Sequence, residues 1–384
     1  MIYFDHNAST PVRPEVADAM LAALRETGAN PSSMHREGQR ARAVVERARA
    51  QVAALVNARE DEVVFVSGGT EGDHLALVGA AWARRDAGRR VAFAAIEHHA
   101  VHGAADVLAE LGWTAASLPC DAEGRTLGGA IDALPADTTV VSLMLANNET
   151  GVLQPVAELA ARAHARDIRV HCDAVQAAGK VAVDVAVLGV DYLVISGHKF
   201  GGPKGAGALI VRRGAPLEPL QRGTGHERGR RGGTENVPGI VGLGLAAQLA
   251  GAELAAEGVR IAALRDRFEA GLRAAFPDLV VHGEHAPRLP NTLNASFPGA
   301  RSDHLLLALD ARGVAVSAGA ACASGAVEPS PVLAAMGVAQ PLAISALRFS
   351  LGHTSTADEI ERALPLVADA VRAARAVTPA GSAG

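Results

Sequence analysis

The chain has 384 residues, 49% of them hydrophobic and 20% charged, a balance that excludes a disordered chain and a disulfide miniprotein. Its 36 Lys and Arg against 41 Asp and Glu give a formal net charge of -5, and aromatics make up only 3%, so no nucleic-acid partner is expected. A single core stops growing near about 250–300 residues, so a large domain accompanied by a smaller one is expected.

The first strong helical pattern follows Asn30-Pro31-Ser32-Ser33, where Val44, Val45, Ala48, Val52 and Leu55 recur at spacings of three and four. The rhythm then changes to short β-branched runs that end in turn residues and lead into helical segments. These runs are Val63-Val64-Phe65-Val66 and residues 91–96, 140–145, 168–172, 192–195 and 208–211. Strands alternating with helices predict a largely parallel sheet covered on both faces. The first two crossover helices are expected to start near Thr70 and His98.

A different texture starts near residue 257. Ile261, Leu264, Phe268, Leu272 and Phe276 predict a long amphipathic helix, and shorter elements follow, including a helix over 303–312 that Gly313 terminates. Ser330 and Pro331 read as the cap and first position of a helix ending at Gly337. Thr356-Ala357-Asp358-Glu359 reads as a capping box for the last helix, which Pro365 is expected to kink. The tail from Thr378 is expected to fray. The expected division is a large domain over 14–256 and a small one formed by 1–13 with 257–384.

Cys120, Cys172 and Cys322 are far apart and form no Cys-x-x-Cys pair, which argues against a structural zinc site or a disulfide framework. That usage suits a reducing cytoplasm, the expected location. Met1 to Asn7 lacks a basic region followed by an apolar stretch, so no signal peptide is expected. No apolar run is read as reaching the roughly 18 residues of a membrane span, so no membrane partner is expected.

Chemistry is expected where strands end, because parallel sheets collect ligands at their carboxyl edge. Ser67-Gly68-Gly69-Thr70 suits either an ordinary turn or an anion cradle at a helix start. Glu97-His98-His99 offers a capping or a catalytic histidine, and Asn147-Asn148-Glu149-Thr150-Gly151 a hydrogen-bonded turn or a site. Asp173, followed by Gln176, is a strand-end carboxylate that a protonated heterocyclic nitrogen would satisfy. Ser196-Gly197-His198-Lys199 puts a lysine among small residues, where lost solvation makes an amine nucleophilic. Lysine, aspartate and anion cradle in this order are the set that pyridoxal phosphate needs.

These residues belong to a wider pattern. From Tyr3-Phe4-Asp5-His6-Asn7-Ala8-Ser9-Thr10 to Arg348-Phe349-Ser350-Leu351-Gly352, the chain resembles the cysteine desulfurases. Those enzymes use the α/β pyridoxal-phosphate fold type I scaffold of the class-V aminotransferases, a mainly parallel sheet covered by helices with a smaller α+β C-terminal domain. The most specific stretches are 146–151, 196–199, 226–236 and 317–329. The last contains Ala321-Cys322-Ala323-Ser324-Gly325 and resembles the longer catalytic loop of group I, the nitrogen-fixation and iron–sulphur-assembly branch.

The resemblance implies that Lys199 carries the cofactor as a Schiff base and that Cys322 takes the sulphur as a persulfide. It implies that Asp173 pairs with the pyridinium nitrogen, Gln176 with the ring hydroxyl, and that His98 stacks on the ring and moves protons. Gly69, Thr70, Ser196 and His198 would hold the phosphate, with Thr234 reaching in from a second subunit of a homodimer. Asn148 and Arg348 would grip the carboxylate of L-cysteine. A sulphur-acceptor or iron–sulphur scaffold protein would be the partner, and any iron–sulphur ligation by Cys322 would be transient. The sequence departs from the common pattern at Asp5-His6-Asn7, at Thr70-Glu71-Gly72-Asp73-His74 and at Gly223-Thr224-Gly225, without removing a residue of chemical role. A selenocysteine lyase, another class-V aminotransferase-like enzyme and a non-catalytic sulphur-transfer scaffold are the alternatives. Cys120 and Cys172 are expected to be structural.

Overall fold

Continuous apolar runs make fully buried strands, and here they assemble into one seven-stranded sheet. Its order is Val63–Val66, Gly207–Val211, Tyr192–Ser196, Arg169–Asp173, Thr138–Ser142, Arg90–Ala94, Thr114–Leu118. Every pair from Tyr192–Ser196 to the far edge is parallel, and Gly207–Val211 is antiparallel to both its neighbours. The computed structural model describes residues 1–318 and 329–377. Cys322 and the tail from Thr378 lie outside the described residues.

The strands at 90–94 and 138–142 are shorter than their apolar runs, because Ile96 and Leu143 to Leu145 are buried in loops beyond the carboxyl edge. The edge strand Thr114–Leu118 carries no periodic signal: it reads Thr-Ala-Ala-Ser-Leu and exposes three of its five positions. The opposite edge, Val63–Val66, is covered. Arg49 Nη1 donates to the Val63 carbonyl at 2.9 Å, and Glu227 Oε2 accepts from the Phe65 N–H at 2.8 Å. The two side chains form a bidentate pair at 2.8 and 2.9 Å. The arginine- and glycine-rich stretch 226–236 thus places one residue, Glu227, in the interior.

One continuous helix, Val237–Ala275, replaces the texture change at 257. Its first half is Gly- and Ala-rich because it packs closely on Pro14–Glu26 and Arg36–Leu55; a Cβ on Gly244 would lie 2.6 Å from Ala48. Its second half sends Ile261, Phe268 and Leu272 into a separate core with Phe4, Phe297, Phe349 and Val367. The expected boundary at 256/257 therefore falls inside a helix that serves both cores. By length and composition this helix could also cross a membrane, contrary to the reading that no stretch reaches that size. Its apolar side chains are spent on the two cores: Ile240, Leu243 and Ala247 in one, Phe268 and Leu272 in the other.

The second core is built on Ala346–Ser350, Thr292–Ser296 and Val280–Val281, paired antiparallel. Ile2–Tyr3 pairs with Val314–Ala315, which ties the amino terminus to this part. Ser302–Asp310 and Ala357–Val377 complete it, the latter running through Pro365 as one helix, whereas Pro331–Ala335 packs Val332 and Leu333 against Ala94, Ile96 and Met144.

Candidate active site

At the carboxyl ends of Arg169–Asp173 and Tyr192–Ser196 lies a cavity of about 240 Å³. Gly69, Thr70, His98, Asn148, Asp173, Gln176, Ser196, His198 and Lys199 all line it. Nine residues spread over 131 positions of sequence meet because parallel strands align their ends and each following loop starts at the same edge.

One end of the cavity suits an anion. The helix Gly69–Ala83 begins there, and Gly68 before it supplies no side-chain cap. Amides in the first turn are therefore free for a ligand, and the helix dipole favours negative charge. Gly72 brings that turn close to the sheet, since a Cβ at this position would meet Val194 Cγ1 at 2.7 Å. Ser196 and His198 line the same cavity from the neighbouring strand end.

The other end suits a cation. Asp173 Oδ1 accepts the Val175 N–H at 2.8 Å, and burial pushes its carboxyl above the usual range, with Lys199 and His171 pulling it back. Behind it lies a buried polar cluster that the sequence reading missed. His171 Nε2 sits 3.2 Å from Asp73 Oδ1, His171 Nδ1 bonds Ser142 Oγ at 2.8 Å, and Ser142 donates to Glu97 Oε1 at 3.1 Å. Burial, and next the Asp173 charge, holds the Asp73 and Glu97 carboxyls well above the usual carboxylate range. The sequence carries a faint signal of it: Thr70 and Asp73 stand three apart, on one helix face.

Lys199 enters between these ends. Its Nζ donates to the carbonyls of Asn7 at 2.7 Å and Ala8 at 3.0 Å, and burial, followed by the Arg348 charge, lowers its pKa to about 8. Gln176 Nε2 also donates to the Asn7 carbonyl, at 2.9 Å. The orientation of that amide is set by Lys180, a second residue missed from sequence, whose Nζ donates to Gln176 Oε1 at 2.7 Å and Asn7 Oδ1 at 2.9 Å. His98 caps the helix His99–Glu110 by accepting the Ala100 N–H at Nδ1, 3.1 Å away. Burial lowers its pKa to about 4, so the ring is neutral with its proton on Nε2.

Arg348 is buried and donates to the Asn148 carbonyl at 2.9 Å and to Asp5 at 2.8 Å, while its Nε has no hydrogen-bond partner among the described residues. Arg348 thus adjoins the cavity through Asn148, which lines it, but is not itself part of the lining. Thr234 lies outside the cavity, exposed. Cys172 is fully buried, its thiol pushed well above the ordinary range by burial, and Cys120 is half-buried.

The lining fits pyridoxal phosphate: uncapped amides for a phosphate, a buried carboxylate that forms no salt bridge among the described residues, and an amine with a lowered pKa. Comparison with known proteins agrees. Residues 2–363 match the class-V aminotransferase family. The chain belongs to that family. It is 42% identical over 379 residues to the cysteine desulfurase IscS of Methanosarcina thermophila, covering 98% of this chain and 94% of that one. Among solved structures, a NifS-like protein superposes with a TM-score of 0.90 at 35% identity, covering 97% of this chain and 99% of that one. SspA, solved in complex with cysteine, superposes with a TM-score of 0.81 at 32% identity, covering 93% and 100%.

Proposed function

We propose that the chain is a cysteine desulfurase that converts L-cysteine to L-alanine and holds the sulphur as a persulfide on Cys322. The observation that carries this reading is the meeting, in one cavity, of an amine with a pKa near 8, a buried carboxylate that forms no salt bridge among the described residues and an uncapped helix start. Pyridoxal phosphate, when bound, supplies an electron sink for the pair left by a bond broken at the substrate's Cα. The protein's part is to bind, orient and move protons.

Gly69, Thr70, Ser196 and His198 hold the phosphate, Asp173 faces the ring nitrogen and Gln176 the ring hydroxyl. Arg348 and Asn148 hold the substrate carboxylate. Lys199 Nζ, free of its proton in about a tenth of molecules at pH 7 and in half near pH 8, takes the proton from Cα, and His98 presents its Nε2–H. The thiolate of Cys322 attacks the substrate Sγ; the Cβ–Sγ bond breaks, an S–S bond forms, and a proton returned to Cβ completes alanine. Atoms balance as cysteine plus thiol to alanine plus persulfide.

The same reading makes the protein a cytoplasmic homodimer in which Thr234 completes the partner's phosphate site. It hands sulphur to an acceptor or iron–sulphur scaffold protein, with transient iron–sulphur ligation at Cys322 during transfer. It divides the chain at 256/257 into the cofactor-binding and the small domain. The test is to supply cysteine to the holoenzyme, then measure alanine and protein-bound sulphur with and without a thiol reductant. Alanine and persulfide in equal amounts before reductant is added are expected. Alanine formed at the wild-type rate by Cys322→Ala would overturn the reading in favour of a lyase.

A further inference from the structure

Glu149 stands one position past Asn148, in a turn held by Asn147, whose Oδ1 accepts the N–H groups of Glu149 and Thr150 at 2.9 Å each. Its side chain is buried, and its Oε2 lies 2.5 Å from Ser330 Oγ. Ser330 caps the helix Pro331–Ala335, its Oγ accepting from the N–H groups of Val332 at 3.1 Å and Leu333 at 3.2 Å. A hydroxyl has two lone pairs and one proton. Both lone pairs are occupied by the cap, so the Ser330 proton goes to Glu149, and the carboxyl must be the acceptor.

Among the described residues, the charged group acting on Glu149 is Arg348, which also holds the Asn148 carbonyl. Burial pushes the Glu149 carboxyl up to about 7, against the pull of Ser330 and Arg348. Asn294 Nδ2 donates to the Glu149 carbonyl at 3.3 Å from the adjoining strand and brings no charge.

We propose that Glu149 is a positioning residue that couples occupancy of the Arg348 carboxylate subsite to Ser330, eight positions after Cys322. The inference rests on the desulfurase reading for what occupies that subsite. An amino-acid carboxylate on Arg348 takes up its positive charge and adds a negative one near Glu149, so Glu149 gains a proton. A neutral carboxyl accepts from Ser330 about half as strongly as a carboxylate. Binding therefore weakens the hold on the helix that follows Cys322. By reciprocity the protonated form of Glu149 binds the carboxylate better, so affinity falls as pH rises through about 7.

The experiment uses holoenzyme and L-alanine, which has the carboxylate but no thiol to titrate, with the cofactor absorbance as the binding signal. Glu149→Gln keeps an acceptor for Ser330 and removes the charge. From about pH 6 to about pH 8.5 the ratio of wild-type to Glu149→Gln dissociation constants is expected to rise about tenfold, one unit of coupling. Ser330→Ala and Glu149→Asp, which keep the charge and lose the contact, are expected to retain that pH dependence. Both should change the rate of persulfide formation on Cys322 when cysteine is supplied, because the hold that binding is to weaken is already lost. A flat ratio, or wild-type persulfide rates in both contact variants, overturns the coupling. Wild-type holoenzyme that forms no persulfide at all overturns the desulfurase reading instead.

Discussion

Removing Glu227 tests whether the covered sheet edge holds the site together. Arg49 and Glu227 have side chains only 4% and 3% exposed, and each also bonds the outward backbone of the edge strand Val63–Val66. Glu227→Ala leaves a buried guanidinium with the Val63 carbonyl and with Glu46, whose carboxylate lies 3.1 Å from Nε but is 40% exposed. It also leaves the Phe65 N–H without its acceptor. Breaking a buried pair by removing one partner costs about 3–5 kcal/mol. Glu46 offsets part of that cost, and the orphaned amide adds about 1–3 kcal/mol, so a loss near 4 kcal/mol is expected. Against a typical net stability of about 5–15 kcal/mol, this moves the urea midpoint far down. Arg49→Met with Glu227→Leu, which buries no charge, should recover more than half of the loss. Equilibrium urea unfolding followed by tryptophan fluorescence measures all three proteins. A Glu227→Ala loss below about 1 kcal/mol, or a double variant no better than the single, would refute the assignment of a buried-charge penalty.

Three further outcomes bear on the chemistry. The rate at which apoprotein captures pyridoxal phosphate should rise with pH to a plateau with a midpoint near 8, since a neutral Lys199 amine is the reacting form and its pKa is lowered; Arg348→Gln should raise that midpoint, and a wild-type midpoint near the ordinary lysine value of about 10.4 would contradict it. Asp173→Asn keeps the shape but removes the charge, so kcat for alanine formation should fall by about 100-fold or more; an unchanged kcat would take the ring nitrogen away from Asp173. Cys322→Ser should abolish the protein-bound sulphur detected by intact-mass measurement after cysteine is added, whereas Cys172→Ser should keep it, because that thiol is fully buried.

The residues that chemistry places at strand ends are legible in the amino-acid order alone. Polar side chains stand in rows after apolar runs at Glu97-His98, Asn147-Asn148, Asp173 and Ser196-Gly197-His198-Lys199. A parallel sheet has nowhere to put such residues except its carboxyl edge. The family resemblance matches roles to positions, and the cavity gathers nine of those residues. The edge strand Thr114–Leu118 escapes a sequence reading because its residues carry no alternation. The long helix Val237–Ala275 reads as shorter than it is because its Gly- and Ala-rich half lacks a periodic stripe.

What the amino-acid order determined by itself was local: which runs could be strands, which glycines could open a helix, and which lysine, aspartate and cysteine could do chemistry. What only the tertiary structure decided was the protonation and orientation of those groups. Lys199 has a pKa near 8 because packing buries it and because Arg348, 149 positions away, faces it. The Asp173 carboxyl is raised because packing buries it, and those of Asp73 and Glu97, brought near it from other elements, stand well above the usual range through burial and its charge. Gln176 is oriented through Lys180 and Asn7, and Glu149 is held by Ser330. Desolvation and charge–charge coupling act through space, over a few ångströms, between residues that sequence separates by scores of positions, so they come into being only when the chain has folded.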